Sequence, residues 1–126
     1  MNLNKKIDFS LFEEARQTII VLLQEWQQRV DQVEIAVRET QQFASAIQLN
    51  NQLWQDIQAY YQQNRIIQTT LPAANRRLQQ RFLAVLMTLV NQLRSVPSHA
   101  DVYNDLIAFK DRVIEAIAYI QTGNRG

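Results

Sequence analysis

Ser98, His99 and Asp101 are the residue types of a hydrolytic triad, crowded into four consecutive positions. The spacing defeats the chemistry. At a helix start these side chains radiate in different directions, so His99 cannot take a proton from Ser98 while Asp101 orients it. Ser98 and Asp101 read instead as a helix cap, and His99, the single histidine, as an exposed first-turn residue. Glu13, Glu14, Glu25, Asp31, Glu34 and Glu39 form a second group of chemically capable side chains. They include no Glu-x-x-His, so a di-iron bundle site is excluded. They read as a solvated face, with Glu25–Arg29 and Glu34–Arg38 as i,i+4 pairs. The chain has no cysteine, hence no disulfide, thiolate metal site or cysteine nucleophile. Its two glycines are Gly123 and Gly126, which removes glycine-built phosphate loops and nucleophile elbows from everything before them. The expectation is a protein that is not an enzyme, with no metal, no cofactor and no small-molecule substrate.

Charge is more informative in its distribution than in its net value of +1. Residues 1–56 carry five Lys/Arg against eight Asp/Glu, whereas residues 57–100 carry five arginines and no acid. Arginine suits planar, bidentate contact with phosphate or carboxylate. Trp54, Tyr61 and Arg65 fall at i, i+7 and i+11, on one helical stripe, and Arg76, Arg77 and Arg81 crowd the next segment. Together they are the candidate contact for a nucleic acid or an acidic partner. The bland alternative has the aromatics edging the core and the arginines paired with acids of the first and last segments.

These residues are carried on helices. Ser10-Leu-Phe-Glu13 has capping-box spacing. Apolar or small residues then recur in steps of three or four through Phe12, Ala15, Ile19, Leu22, Trp26, Val30, Val33, Val37, Thr40, Ala44 and Ile47. A break is expected at Asn50-Asn51, because Asn tolerates turn conformations. A second helix carries Leu53, Ile57, Tyr60, Asn64 and Ile67; without the break, three long helices result. Pro72 opens the following helix, which carries Leu71, Ala74, Leu78, Phe82, Val85, Leu89 and Leu93. The Ser95–Ser98 turn leads to a last helix with Val102, Leu106, Phe109, Val113, Ala116, Ile117 and Ile120, stopped at Gly123. The predicted fold is all-α, an antiparallel bundle of four helices forming one domain over residues 1–126.

Phe82 to Val90 is apolar in nearly every direction around its helix, with Leu83 and Met87 opposite the core stripe. A bundle covers only part of each helix. Leu83, Met87 and Val90, with Ile20 and Val21, are therefore the candidate protein interface. The function expected is helical assembly: a self-associating protein, or a subunit of a larger complex. The alternative is a small helical RNA- or single-stranded-DNA-backbone-binding subunit of a ribonucleoprotein. The small subunits of CRISPR effector complexes have this size and character, an analogy of class without a shared motif. The N-terminus lacks the apolar stretch of a signal peptide, and no apolar run approaches the roughly 20 residues that span a bilayer. A cytoplasmic protein with no membrane partner is expected.

Overall fold

A computed structural model describes residues 6–38, 43–93 and 101–122. Helical spacing of apolar residues puts Ala15, Ile19, Leu23, Trp26, Val30 and Val33 on the buried face of α1 (Phe12–Arg38). The same rule buries Ala46, Asn50, Leu53, Ile57, Tyr60 and Asn64 of α2 (Phe43–Asn64). In α3 (Ala73–Leu93) it buries Leu78, Phe82, Val85, Leu86, Leu89 and Leu93. In α4 (Asp101–Thr122) it buries Leu106, Phe109, Val113, Ala116 and Ile120. The fold is the expected all-α bundle of four helices, without a strand among the described residues. Ala74 is exposed, so the core stripe of α3 begins at Asn75 and Leu78.

Cross-helix contacts give the packing order. Trp26 meets Tyr60 and Arg29 meets Asp56, so α2 runs back along α1. Trp54 bonds Val90 and Asn64 bonds Gln79, so α3 runs back along α2. Arg81 covers Tyr119, at the start of α3 and the end of α4. Arg16 bonds the Gln121 carbonyl and Lys110 holds Asp31 and Glu34, which closes α4 antiparallel onto α1. Each helix thus packs on its two sequence neighbours around the ring, α1 reaching across the centre to α3. Phe9, Phe82, Tyr60 and Trp26 form an aromatic chain through the core, with ring centroids 6.2, 6.3 and 5.8 Å apart.

The first break differs from the expected one. Helix α1 ends at Arg38 and α2 begins at Phe43, while Asn50-Asn51 lies inside α2. Ala46, Asn50, Leu53 and Ile57 keep the helical steps, so Asn50 occupies a core position at 2% exposure. Periodicity outweighs the turn preference of an isolated Asn. The cost is a buried Asn50 Oδ1 with no hydrogen bond. The three-helix alternative does not hold either, since Phe12–Arg38 and Phe43–Asn64 are separate helices. The Ser10 capping box is not what forms either. Asp8 Oδ1 accepts the Ser10 amide at 3.0 Å and its hydroxyl at 2.6 Å, an Asx turn, while Glu13 binds Arg16. The expected Glu25–Arg29 pair is also replaced by a contact between helices, and the Arg38 side chain of the Glu34–Arg38 pair lies outside what the structure describes. Arg29 reaches Asp56 at 2.6 Å, and Glu34, only 8% exposed, takes Lys110. The cap at Ser98, the residue His99, the Ser95–Ser98 turn and the Gly123 stop lie outside the described residues.

With no glycine at its end, α2 is stopped by buried amides. Asn64 Nδ2 donates to the Tyr60 carbonyl at 2.9 Å. Gln79 Oε1 accepts the Gln68 amide at 3.0 Å, and its Nε2 lies at hydrogen-bond distance from Asn64 Oδ1 and the Ile66 carbonyl. Asn75 Nδ2 donates to the Phe9 carbonyl at 2.7 Å and fastens the segment before α1 onto α3.

Replacing Gln79 by Leu is expected to lower stability by about 1–3 kcal/mol, through the buried amide and carbonyl left unpaired. Asn50→Leu is expected to raise it by about 1 kcal/mol or more, since an orphaned acceptor is removed. Urea midpoints at unchanged slope measure both. Burial, then Glu25 and Asp56, raises the Tyr60 pKa above its ordinary 10.0. The hydrogen bonds that Lys110 donates to Asp31 and then to Glu34 raise its pKa above 10.5. Both groups keep their folded-state protons longer than the unfolded chain does. Their contribution is therefore complete below those values and lost as pH rises through the higher folded ones. Stability should fall on alkaline titration, and Tyr60→Phe should remove part of that fall.

Candidate functional site

The outward edge of α3 that borders α2 gathers residues from both sequence-derived candidate sets. Successive turns of α3 place Leu83, Met87 and Val90 there, and the heptad stripe of α2 brings Trp54 and Tyr61 alongside. Tyr61, Met87, Val90 and Asn91 line a shallow depression of about 150 Å³. Met87 is 47% exposed, whereas Leu83, Val90, Trp54 and Tyr61 are half-buried. The indole Nε1–H of Trp54 donates to the Val90 carbonyl at 3.1 Å. Trp54 is thus fixed in place, with part of its ring facing out.

The remaining candidates are dispersed. Ile20 is 6% exposed and belongs to the core, offering nothing to a partner, while Val21 is 50% exposed on α1. Arg65 is exposed in the bend that follows the end of α2 at Asn64, so the helical stripe stops at Tyr61 and reaches neither Arg65 nor Ile67. Arg76 Nη1 donates to the Thr69 and Leu71 carbonyls and holds the α2–α3 turn. Arg81 stacks 4.9 Å over the Tyr119 ring, on the opposite flank of α3, and Arg77 is exposed. Among the described residues, no ion pair includes an arginine from 57–93. The pairing of these arginines with acids of α1 and α4 is therefore not what the bundle makes. The six residues expected to act together do not form one surface: Trp54 and Tyr61 border α3, Arg65 lies past the end of α2, and Arg81 is on the other flank of α3.

A larger groove of about 330 Å³ lies between α3 and α4, lined among others by Thr88, Arg112, Glu115 and Tyr119. Its polar groups are already engaged. Arg112 and Glu115 meet at 3.2 Å, and the Thr88 hydroxyl donates to the Ala84 carbonyl. Among the described residues, no three His, Cys, Asp or Glu side chains cluster as metal ligands, and no helix is long and apolar enough to cross a membrane. Sequence reasoning missed Asn91 on the depression, and it missed Ile35, Ile107 and Ile114, which are 45%, 39% and 53% exposed. Their heptad spacing was the available signal. Compared with known proteins, the chain matches no family model, and no curated protein or solved structure is similar to it.

Proposed function

We propose that the protein is a non-enzymatic helical interaction protein that joins a larger assembly through its α2–α3 face, receiving there an amphipathic helix with acidic flanks. One observation carries this reading. Tyr61, Leu83, Met87 and Val90 present half-exposed apolar surface, and the exposed Arg65 follows the end of α2, in a stretch without an acid from 57 to 93. Trp, Tyr, Met and Arg are the residues that concentrate at protein interfaces. A shallow groove between antiparallel helices fits a third helix laid along it, apolar face down. Arg65 then selects the sign of charge on the flanks of that helix. The nucleic-acid alternative rests on the same arginines, but the engagement of Arg76 and Arg81 within the bundle weakens it.

Two synthetic helical peptides with the same leucine stripe, one flanked by glutamates and one by lysines, test the reading. Trp54 fluorescence reports binding, because Trp26 is sealed in the core at 2% exposure. The acidic peptide should shift the emission saturably, and the basic one should not. Leu83→Glu with Met87→Glu should abolish binding while helicity persists, and Arg65→Glu should weaken it about tenfold, the equivalent of 1.4 kcal/mol. Equal binding of both peptides, or of neither, overturns the proposal. Steeply salt-dependent binding of single-stranded RNA, reduced by replacing Arg76, Arg77 and Arg81 with Ala, would favour the nucleic-acid reading.

A further inference from the structure

The groove of about 330 Å³ between α3 and α4 owes its depth to side-chain size. Ala84 and Thr88 on α3 and Ala116 on α4 are short where the two helices face each other, so the floor falls back to the buried Val85 and Leu89. Arg81 and Tyr119 meet at one end, and Arg112 with Glu115 stands at the other. From Arg112 to Tyr119 is two helical turns, about 10 Å. The walls have no polar group to spare along that length: Arg112 Nη2 donates to Glu115, and the Thr88 hydroxyl donates to the Ala84 carbonyl. An apolar trough of this size lies at the lower end of the range for small-molecule sites, about 300–1,000 Å³.

Charge at the rim identifies the occupant. Arg77 precedes Arg81 by one turn on the side of α3 that faces α4. Among the described residues neither arginine enters an ion pair. On the α4 wall, Glu115 is held by Arg112 at 3.2 Å. The exposed Asp111 lies one residue from Arg112, and at 3.6 residues per turn it points to the outward side of α4. Even with Asp111 counted, the three arginines of this flank outnumber its acids. Arg81 carries the unmatched charge in a fixed place, its guanidinium carbon 4.9 Å from the centre of the Tyr119 ring. A guanidinium lying over a ring keeps its N–H groups for an acceptor, and a carboxylate fits that fork bidentately. We infer that the α3–α4 groove binds a small apolar carboxylate, its tail on Val85, Leu89 and Ala116 and its head on Arg81, with Arg77 beside it. A helical partner fits this groove poorly, because the Arg81–Tyr119 stack crosses it where a helix laid along it would continue. The inference goes beyond the α2–α3 reading, since it concerns the other flank of α3 and a small molecule.

Titration of the isotope-labelled full chain, followed by amide magnetic resonance, tests it. The probes are octanoate, octylamine as the same tail under the opposite charge, and acetate as the head without a tail. Octanoate should bind saturably at millimolar concentration, with shifts centred on Ala84, Thr88, Ala116 and Tyr119. Octylamine and acetate should not saturate. Arg77→Gln with Arg81→Gln should weaken octanoate binding at least about tenfold with the helical circular dichroism retained. Ala84→Phe, at an exposed position on the wall, should fill the groove and abolish binding, so it decides should the arginine variant lose helicity. Leu83→Glu with Met87→Glu should remove peptide binding and leave octanoate binding intact, so the two proposals fail separately. Octanoate that does not saturate overturns the inference. So does equal binding of octanoate and either control, shifts centred on Met87 and Asn91 instead, or an octanoate affinity that survives either groove substitution in a folded protein.

Discussion

Gln79 sits 1% exposed inside the bundle with both ends of its amide in use, one accepting from Gln68 and the other directed at Asn64 and Ile66. Helices most often stop on a glycine that adopts the left-handed conformation, and no glycine precedes Gly123. The end of α2 must therefore be satisfied from within. Asn75 does the same for the segment entering α1, binding the Phe9 and Ser10 carbonyls across the bundle. Arg76 completes the arrangement by holding the turn from outside. These amides lie at one end of the bundle and fix the register of α2 on α3. The placement of Trp54 beside Val90 and of Tyr61 beside Met87 follows from that register.

The same fact explains what could be read in advance. Apolar steps of three and four run through every helix, so the architecture, the Pro72 start of α3 and most of the core were legible. The first break was not. Asn50 has the composition of a turn and the phase of a core residue, and phase decides because Ala46, Leu53 and Ile57 bind the same face. Ser10 and Glu13 have the spacing of a capping box, yet Asp8 is nearer the Ser10 hydroxyl and Arg16 is the stronger partner for Glu13. Local spacing lists the bonds available. Competition among neighbours chooses between them, and that choice is visible only in three dimensions.

The candidate residues divide in the same way. Leu83, Met87 and Val90 were legible as surplus apolar surface, and Trp54, Tyr61 and Arg65 as a stripe. That both belong to one face depends on the pairing of α2 with α3. Ile20 lies one residue from Ile19 in sequence and looked peripheral, but α4 packs against that flank of α1 and covers it. Arg81 likewise belongs to the flank of α3 that meets Tyr119. Ile35, Ile107 and Ile114 fall on no core stripe, and only the Lys110 bridges bring their two helices into one register.

The two outer faces separate chemically because acids and arginines are separated along the chain. Helices α1 and α4 carry both signs and meet through Lys110, which holds Asp31 and Glu34, while Asp111 stays exposed on α4. Helices α2 and α3 share an acid-free stretch from residue 57 onward, so Arg65 has no carboxylate of its own chain beside it on that edge. A cationic edge adds steering and a preference for the sign of its partner. In a ring of four helices these faces point in opposite directions.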